Sequence, residues 1–137
     1  MNEMNKQQKA EYAHLRFQAR CVEKGLIVSK PQVETRYDFV LDDHGVLKRV
    51  QVKFCDVRAS GVSGAYQLNL RMVGNGYSKN CYTADEVDLI AVWLHGDQIL
   101  VGLAPEHFAG RSTVQLRIQP TKNNQHRGVL MAKDLVW

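Results

Sequence analysis

The sequence predicts an α+β domain built on a central mixed β-sheet with an N-terminal helix, and three observations carry that prediction. A helical apolar stripe opens the chain, a hairpin pattern follows it, and a continuous apolar run of strand length, Leu89 to Leu94, lies in the second half. A helix followed mostly by strands indicates an α+β or α/β arrangement around one sheet. The chain has 137 residues, the size of one ordinary domain. Residues 1–137 read as a single domain, because no Pro-rich linker, repeat or low-complexity tract interrupts them.

The elements follow in order. Lys6 to Lys24 is predicted as the helix: Ala10, Ala13, Leu15, Phe17, Cys21 and Val22 fall roughly on one stripe, and Gly25 ends the run. Leu26-Ile27-Val28 is a short strand candidate stopped by Pro31. Tyr37 to Leu41 and Val46 to Phe54 form a hairpin across Asp42-Asp43-His44-Gly45, which is turn chemistry. In its second strand Val50, Val52 and Phe54 share one face, while Arg49, Gln51 and Lys53 share the other. Ala65 to Arg71 is another strand candidate, and Thr83-Ala84-Asp85-Glu86 has the capping-box pattern of one short helical turn. The unbroken apolar run Leu89 to Leu94 predicts a strand covered on both faces, paired with Gln98 to Leu103. Pro105 opens a second helical turn. Val114, Leu116 and Ile118 alternate with Gln115, Arg117 and Gln119, which predicts a final strand with one polar face.

Composition removes several classes of function. With 45% hydrophobic and 23% charged residues, the chain is neither disordered nor collagen-like. Its longest apolar run is far too short for a membrane-spanning helix. Met1 to Lys9 is polar and lacks an apolar signal region, so a cytoplasmic location is expected. Cys21, Cys55 and Cys81 are odd in number and have no CxxC spacing, so they read as buried or surface thiols. His14, His44, His95, His107 and His126 show no zinc-ligand spacing. No Ser/His/Asp motif is present, and Gly74-Asn75-Gly76 lacks the Lys-Ser/Thr of a phosphate loop. The net charge is +4, and residues 1–110 hold 13 basic and 13 acidic residues. The excess therefore lies after Gly110, in Arg111, Arg117, Lys122, Arg127 and Lys133 against Asp134. A basic segment beside a neutral body suits a polyanion partner or a solvated tail.

The informative stretch is Tyr37-Asp38, a turn, and then Val50-Gln51-Val52-Lys53. Period two places Gln51 and Lys53 side by side, near the end of the strand that carries Asp38. Asp38 offers a carboxylate oxygen and the Val52 carbonyl another, with waters completing the coordination that Mg²⁺ prefers. Lys53 would then orient a nucleophilic water or stabilise charge building on a phosphoryl oxygen.

These residues resemble the PD-(D/E)XK nuclease superfamily, in which an Asp and then a (D/E)-x-K strand form the metal site. The resemblance is closest to its group I intron-associated homing endonucleases, which carry Gln in place of the second acid, as Gln51-Val52-Lys53 does here. It extends to Glu11 in Lys9-Ala10-Glu11 as a helix-one acid, and to Val28-Ser29-Lys30-Pro31, Tyr82, Asp85-Glu86-Val87-Asp88, Ala91-Val92 and Thr121-Lys122-Asn123-Asn124-Gln125. It departs from the pattern at Tyr37, where the superfamily has Pro, and at Gln51, whose neutral amide implies weaker metal affinity than a second acid. The resemblance implies a restriction-endonuclease-like fold and a Mg²⁺-dependent endodeoxyribonuclease of homing type that cuts a specific double-stranded DNA target. It implies Glu11, Asp38, Gln51 and Lys53 as catalytic residues. It also implies Mg²⁺, or another divalent cation, held by Asp38, Gln51, Val52 and Glu11. Glu11 also reads as a solvated helix acid, and Asp85, Glu86 and Asp88 as a second cation cluster or as capping and turn residues. The competing functions are a Holliday-junction resolvase-like nuclease, a non-catalytic DNA-binding module of the same fold, and a structural or assembly protein.

Candidate DNA contacts follow from charge and spacing. Arg49 shares the face of Gln51 and Lys53, and Arg58, Arg71 and Lys79 lie in or beside the later loops and strands. Gln67, Asn69 and Arg71 recur at period two, as base-reading side chains or as an ordinary polar strand face. Lys122, Asn123, Asn124, Gln125 and Arg127 read as DNA or subunit contacts. One active site per small chain predicts a homodimer or homotetramer for double-strand cutting. Val129, Leu130, Met131, Leu135, Val136 and Trp137 either form that interface or complete the core.

Overall fold

The computed structural model describes residues 3–59, 64–71, 81–121 and 128–137. The helix α1 spans Lys6–Glu23. It starts at a reciprocal cap: Asn5 Oδ1 accepts the Gln8 N–H at 2.9 Å, and Gln8 Oε1 accepts the Asn5 N–H at 2.8 Å. Gly25 follows it in the left-handed region, at φ +73°. Strands β1 (Ile27–Ser29), β2 (Phe39–Asp43), β3 (Val46–Cys55), β5 (Leu89–Leu94) and β6 (Ile99–Leu103) make one mixed sheet in the order β1-β2-β3-β5-β6. Its pairs are antiparallel except for β3 and β5, which run parallel with Val50 opposite Leu89. The β2–β3 hairpin turns at His44 and Gly45, both at positive φ, and the Gly45 N–H is held by Asp42 Oδ1 at 2.7 Å.

The alternating strand near the end, β7 (Thr113–Arg117), does not enter the central sheet; it pairs with β4 (Ala65–Asn69) in a separate two-stranded sheet. The capping-box pattern at Thr83 makes the single turn expected of it: Glu86 and Val87 both donate N–H to the Thr83 carbonyl, and the Thr83 hydroxyl bonds Glu86 Oε1 at 3.0 Å. Pro105 does open a short helix, α2 (Pro105–Phe108).

The central sheet is covered on both faces. On one, Ala13, Phe17 and Cys21 of α1 pack on Phe39, Leu41, Val50, Val52, Ala91 and Trp93. On the other, Ile90, Val92 and Leu94 meet Tyr66, Leu68, Val114 and Leu116 of the small sheet, with Tyr82 and Phe108. This explains why β5 is apolar throughout. Leu130 and Leu135 pack against the second core and Trp137 against the first, so these three residues of the apolar tail help complete the cores. Among the described residues, no helix is long and apolar enough to cross a membrane.

Candidate functional site

The site arises where β2 stops and β3 continues. The Asp38 N–H donates to the Val50 carbonyl at 2.8 Å, and with Asp38 the pairing to β3 ends. Alternate residues of a strand turn their N–H and C=O toward the same edge, so Val52 presents both to the place β2 has vacated. Asp38 fills it with a side chain: its Oδ2 accepts the Val52 N–H at 2.9 Å. The Val52 carbonyl lies on that open edge, 3.5 Å from the Gln51 side-chain amide nitrogen. Lys53, on the face of Gln51, holds its Nζ 5.2 Å from the centre of the Tyr82 ring.

Asp38, Gln51, Val52 and Lys53 line one cavity of about 580 Å³, and α1 closes its other side with Lys6, Lys9 and His14. Lys9 Nζ is ion-paired with Asp56 Oδ2 at 2.8 Å, at the rim of the same cavity. A second cavity, of about 270 Å³, shares His14 and Asp38 and continues under the segment from Lys30 to Tyr37. His14 Nε2 lies 3.3 Å from Asp38 Oδ2, with both side chains about a quarter exposed. Glu11 is exposed and is not among the residues lining the cavity.

The sequence expectation of a cation at this place can be tested on the donors. One carboxylate, one amide and one main-chain carbonyl form an oxygen-only set, which suits a hard divalent ion that keeps several waters. Among the described residues no cluster of three or more His, Cys, Asp and Glu could hold a metal.

The expected DNA contacts have diverse fates. Arg49 is committed to the protein: its Nε and Nη2 reach Asp88 at 3.0 and 3.1 Å, and Nη1 donates to the Asp85 carbonyl. This use of Asp85 and Asp88 is structural. Arg58 stacks on the Tyr66 ring at 4.1 Å and stands 3.5 Å from Asp97, while remaining half exposed. Gln67 and Asn69 occupy the outer face of β4, opposite Gln115 and Thr113 of β7, and Arg71 follows, exposed. Lys79, Lys122, Asn123, Asn124, Gln125 and Arg127 lie outside the described residues. Sequence reasoning missed Lys6, Lys9 and His14 at the cavity; it placed Gln115 on a polar strand face without naming it as a DNA contact.

The PD-(D/E)XK endonuclease family matches residues 4–136. The chain belongs to that family. Membership in the PD-(D/E)XK endonucleases supports action as a DNA endonuclease. Among solved structures, the bacterial homing endonuclease I-Ssp6803I superposes with a TM-score of 0.68 at 20% identity, covering 92% of this chain and 85% of that one. At that identity the likeness establishes a shared fold, the mixed sheet with its N-terminal helix. No curated protein matches the chain.

Proposed function

We propose that this PD-(D/E)XK endonuclease is a divalent-cation-dependent enzyme of homing type that cuts a specific double-stranded DNA target. The observation that carries the proposal is the meeting of Asp38, Gln51, the Val52 edge and Lys53 around one cavity, in the order of the family motif. In this reading Asp38, Gln51 and the Val52 carbonyl hold Mg²⁺ or a similar cation. When bound, that cation supplies Lewis-acid stabilisation for phosphodiester hydrolysis. Lys53 brings a compact positive charge to the phosphoryl oxygens and a donor that orients the attacking water. Gln51 orients by hydrogen bonding and adds no charge, so cation affinity should be modest. The homing assignment is supported by the structural neighbour and by Gln51 at the second motif position. With one such site per chain, a homodimer or homotetramer would deliver both strand cuts.

The test is cleavage of a supercoiled plasmid carrying the intron-insertion region, in Mg²⁺. Asp38→Ala and Lys53→Ala should each slow nicking about 100-fold or more. Cleavage by either variant at the rate of the unaltered protein would sink the assignment of that residue. A four-way junction run beside the linear duplex distinguishes a junction-cutting enzyme, which would prefer the junction with little regard to sequence.

A further inference from the structure

Glu11 is the acid that the sequence offers from the helix, yet the helix residue at Asp38 is His14. The His14 Nε2 stands 3.3 Å from Asp38 Oδ2, in close polar contact with the carboxylate. The same oxygen takes the Val52 N–H at 2.9 Å. The Val52 N–H from β3 and the imidazole nitrogen of His14 from α1 therefore meet at Oδ2. They leave Oδ1 without a hydrogen bond among the described residues. The imidazole is itself held: it meets the Phe39 ring edge-on, with centroids 5.1 Å apart, and Phe39 is fully buried against Phe17. The carboxylate is thus oriented from a rigid part of the core.

We propose that His14 is the positioning residue through which α1 serves this site, holding Asp38 so that Oδ1 is offered to the divalent cation, and that Glu11 takes no part. The proposal rests on the nuclease reading above. Donors that orient a ligating carboxylate typically change metal affinity or activity by about 10- to 100-fold when removed.

The experiment compares His14→Gln, His14→Asn, Glu11→Gln and Asp38→Ala. Gln places its amide nitrogen near the reach of Nε2, whereas the shorter Asn cannot span to Oδ2 and is otherwise similar in polarity. Ca²⁺ binding is measured by calorimetry without DNA, alongside the Mg²⁺ concentration that gives half-maximal cleavage. His14→Asn should weaken both by about 10- to 100-fold, His14→Gln should recover most of the loss, and Glu11→Gln should stay close to the unaltered protein. Metal-free DNA affinity should not change in any His14 variant. Loss in Glu11→Gln with none in His14→Asn would overturn the proposal, as would equal loss in Asn and Gln. Ca²⁺ binding by Asp38→Ala at full affinity would instead overturn the cation site itself, and the role of His14 with it.

Discussion

Arg49 and Asp88 show how a side chain pointed at by its strand phase can be claimed by a distant partner. Asp88 Oδ2 takes the Arg49 main-chain N–H at 2.7 Å as well as the guanidinium, which ties the turn before β5 to the start of the stretch of β3 that lines the candidate site. These bonds, the side-chain bond to Arg49 first, hold the Asp88 carboxyl below its usual range, and the same bond raises Arg49. A carboxylate lowered on folding contributes stability at pH values above its ordinary pKa of about 3.9, and that contribution is lost as pH falls through the lowered value. Both side chains are about a third exposed, so solvent screening keeps the contribution of the pair small. Asp88→Asn should therefore lower the urea midpoint slightly at pH 7, and the gap to the unaltered protein should close in acid. A gap that stays constant down to about pH 2 would count against this linkage. Arg49 was legible as a neighbour of Gln51 from period two alone, but Asp88 was not legible as its partner, since only the parallel β3–β5 register brings them together. Asp38, Gln51 and Lys53 were legible because a hairpin fixes their proximity locally. His14 was not, because its role depends on how α1 docks.

That docking is set by a narrower stripe than the sequence suggested. Ala13, Phe17 and Cys21 are fully buried, at four-residue spacing, whereas Leu15 and Val22 of the expected stripe are 56% and 76% exposed. Burial also pushes the Cys21 thiol up to about 11, as it does for Cys55, so both are inert thiols at neutral pH. With Ala13 and Phe17 facing the sheet, Lys6, Lys9 and His14 line the cavity on the rotated flank of α1. The helix was plain from its periodicity, but its rotation about its own axis came from packing. The same limit hid the small sheet: alternation in β7 showed one polar face and could not name β4 as the partner. The placement of Lys6 and Lys9 gives an expectation at this scale. On the nuclease reading they contact phosphates beside the scissile bond, with Asp56 holding Lys9 in place at 2.8 Å. The Lys6→Ala/Lys9→Ala pair should reduce the slope of log affinity against log salt by about one to two. Fluorescence anisotropy of the DNA duplex in Ca²⁺ across a KCl series reads that slope, and an unchanged slope would remove α1 from the DNA surface.

At the scale of the whole molecule, the candidate site lies on a seam between the first helix and the sheet, and the last residue of the sequence helps to hold that seam closed. Trp137 stacks on Phe17 with ring centroids 5.1 Å apart, and its N–H bonds the Leu100 carbonyl at 3.0 Å. Its carbonyl accepts from Arg20 Nε at 2.9 Å, and Lys24 Nζ sits 3.8 Å over its ring. Gly102 leaves room for the indole: a Cβ there would meet Trp137 Cδ1 at 3.0 Å and Leu89 Cδ1 at 3.1 Å. Trp137 thus joins the C-terminal half of α1 to β6, while Val136 beside it is 56% exposed. Removing the indole should cost about 2 kcal/mol, from a half-buried aromatic and its ring contacts. For a chain of this length that lowers the melting temperature by roughly 6–10 °C, whereas Val136→Ala should stay within about 0.5 kcal/mol. Because Phe17 also packs on Phe39, the ring beneath His14, Trp137→Ala should loosen the orientation of Asp38. Calorimetry of the two variants reads the stability, and the Ca²⁺ titration reads the site. A destabilised Trp137→Ala protein that binds Ca²⁺ with undiminished affinity well below its melting point would show that the seam carries stability alone. Weakened binding at that temperature would show that the clamp reaches the carboxylate.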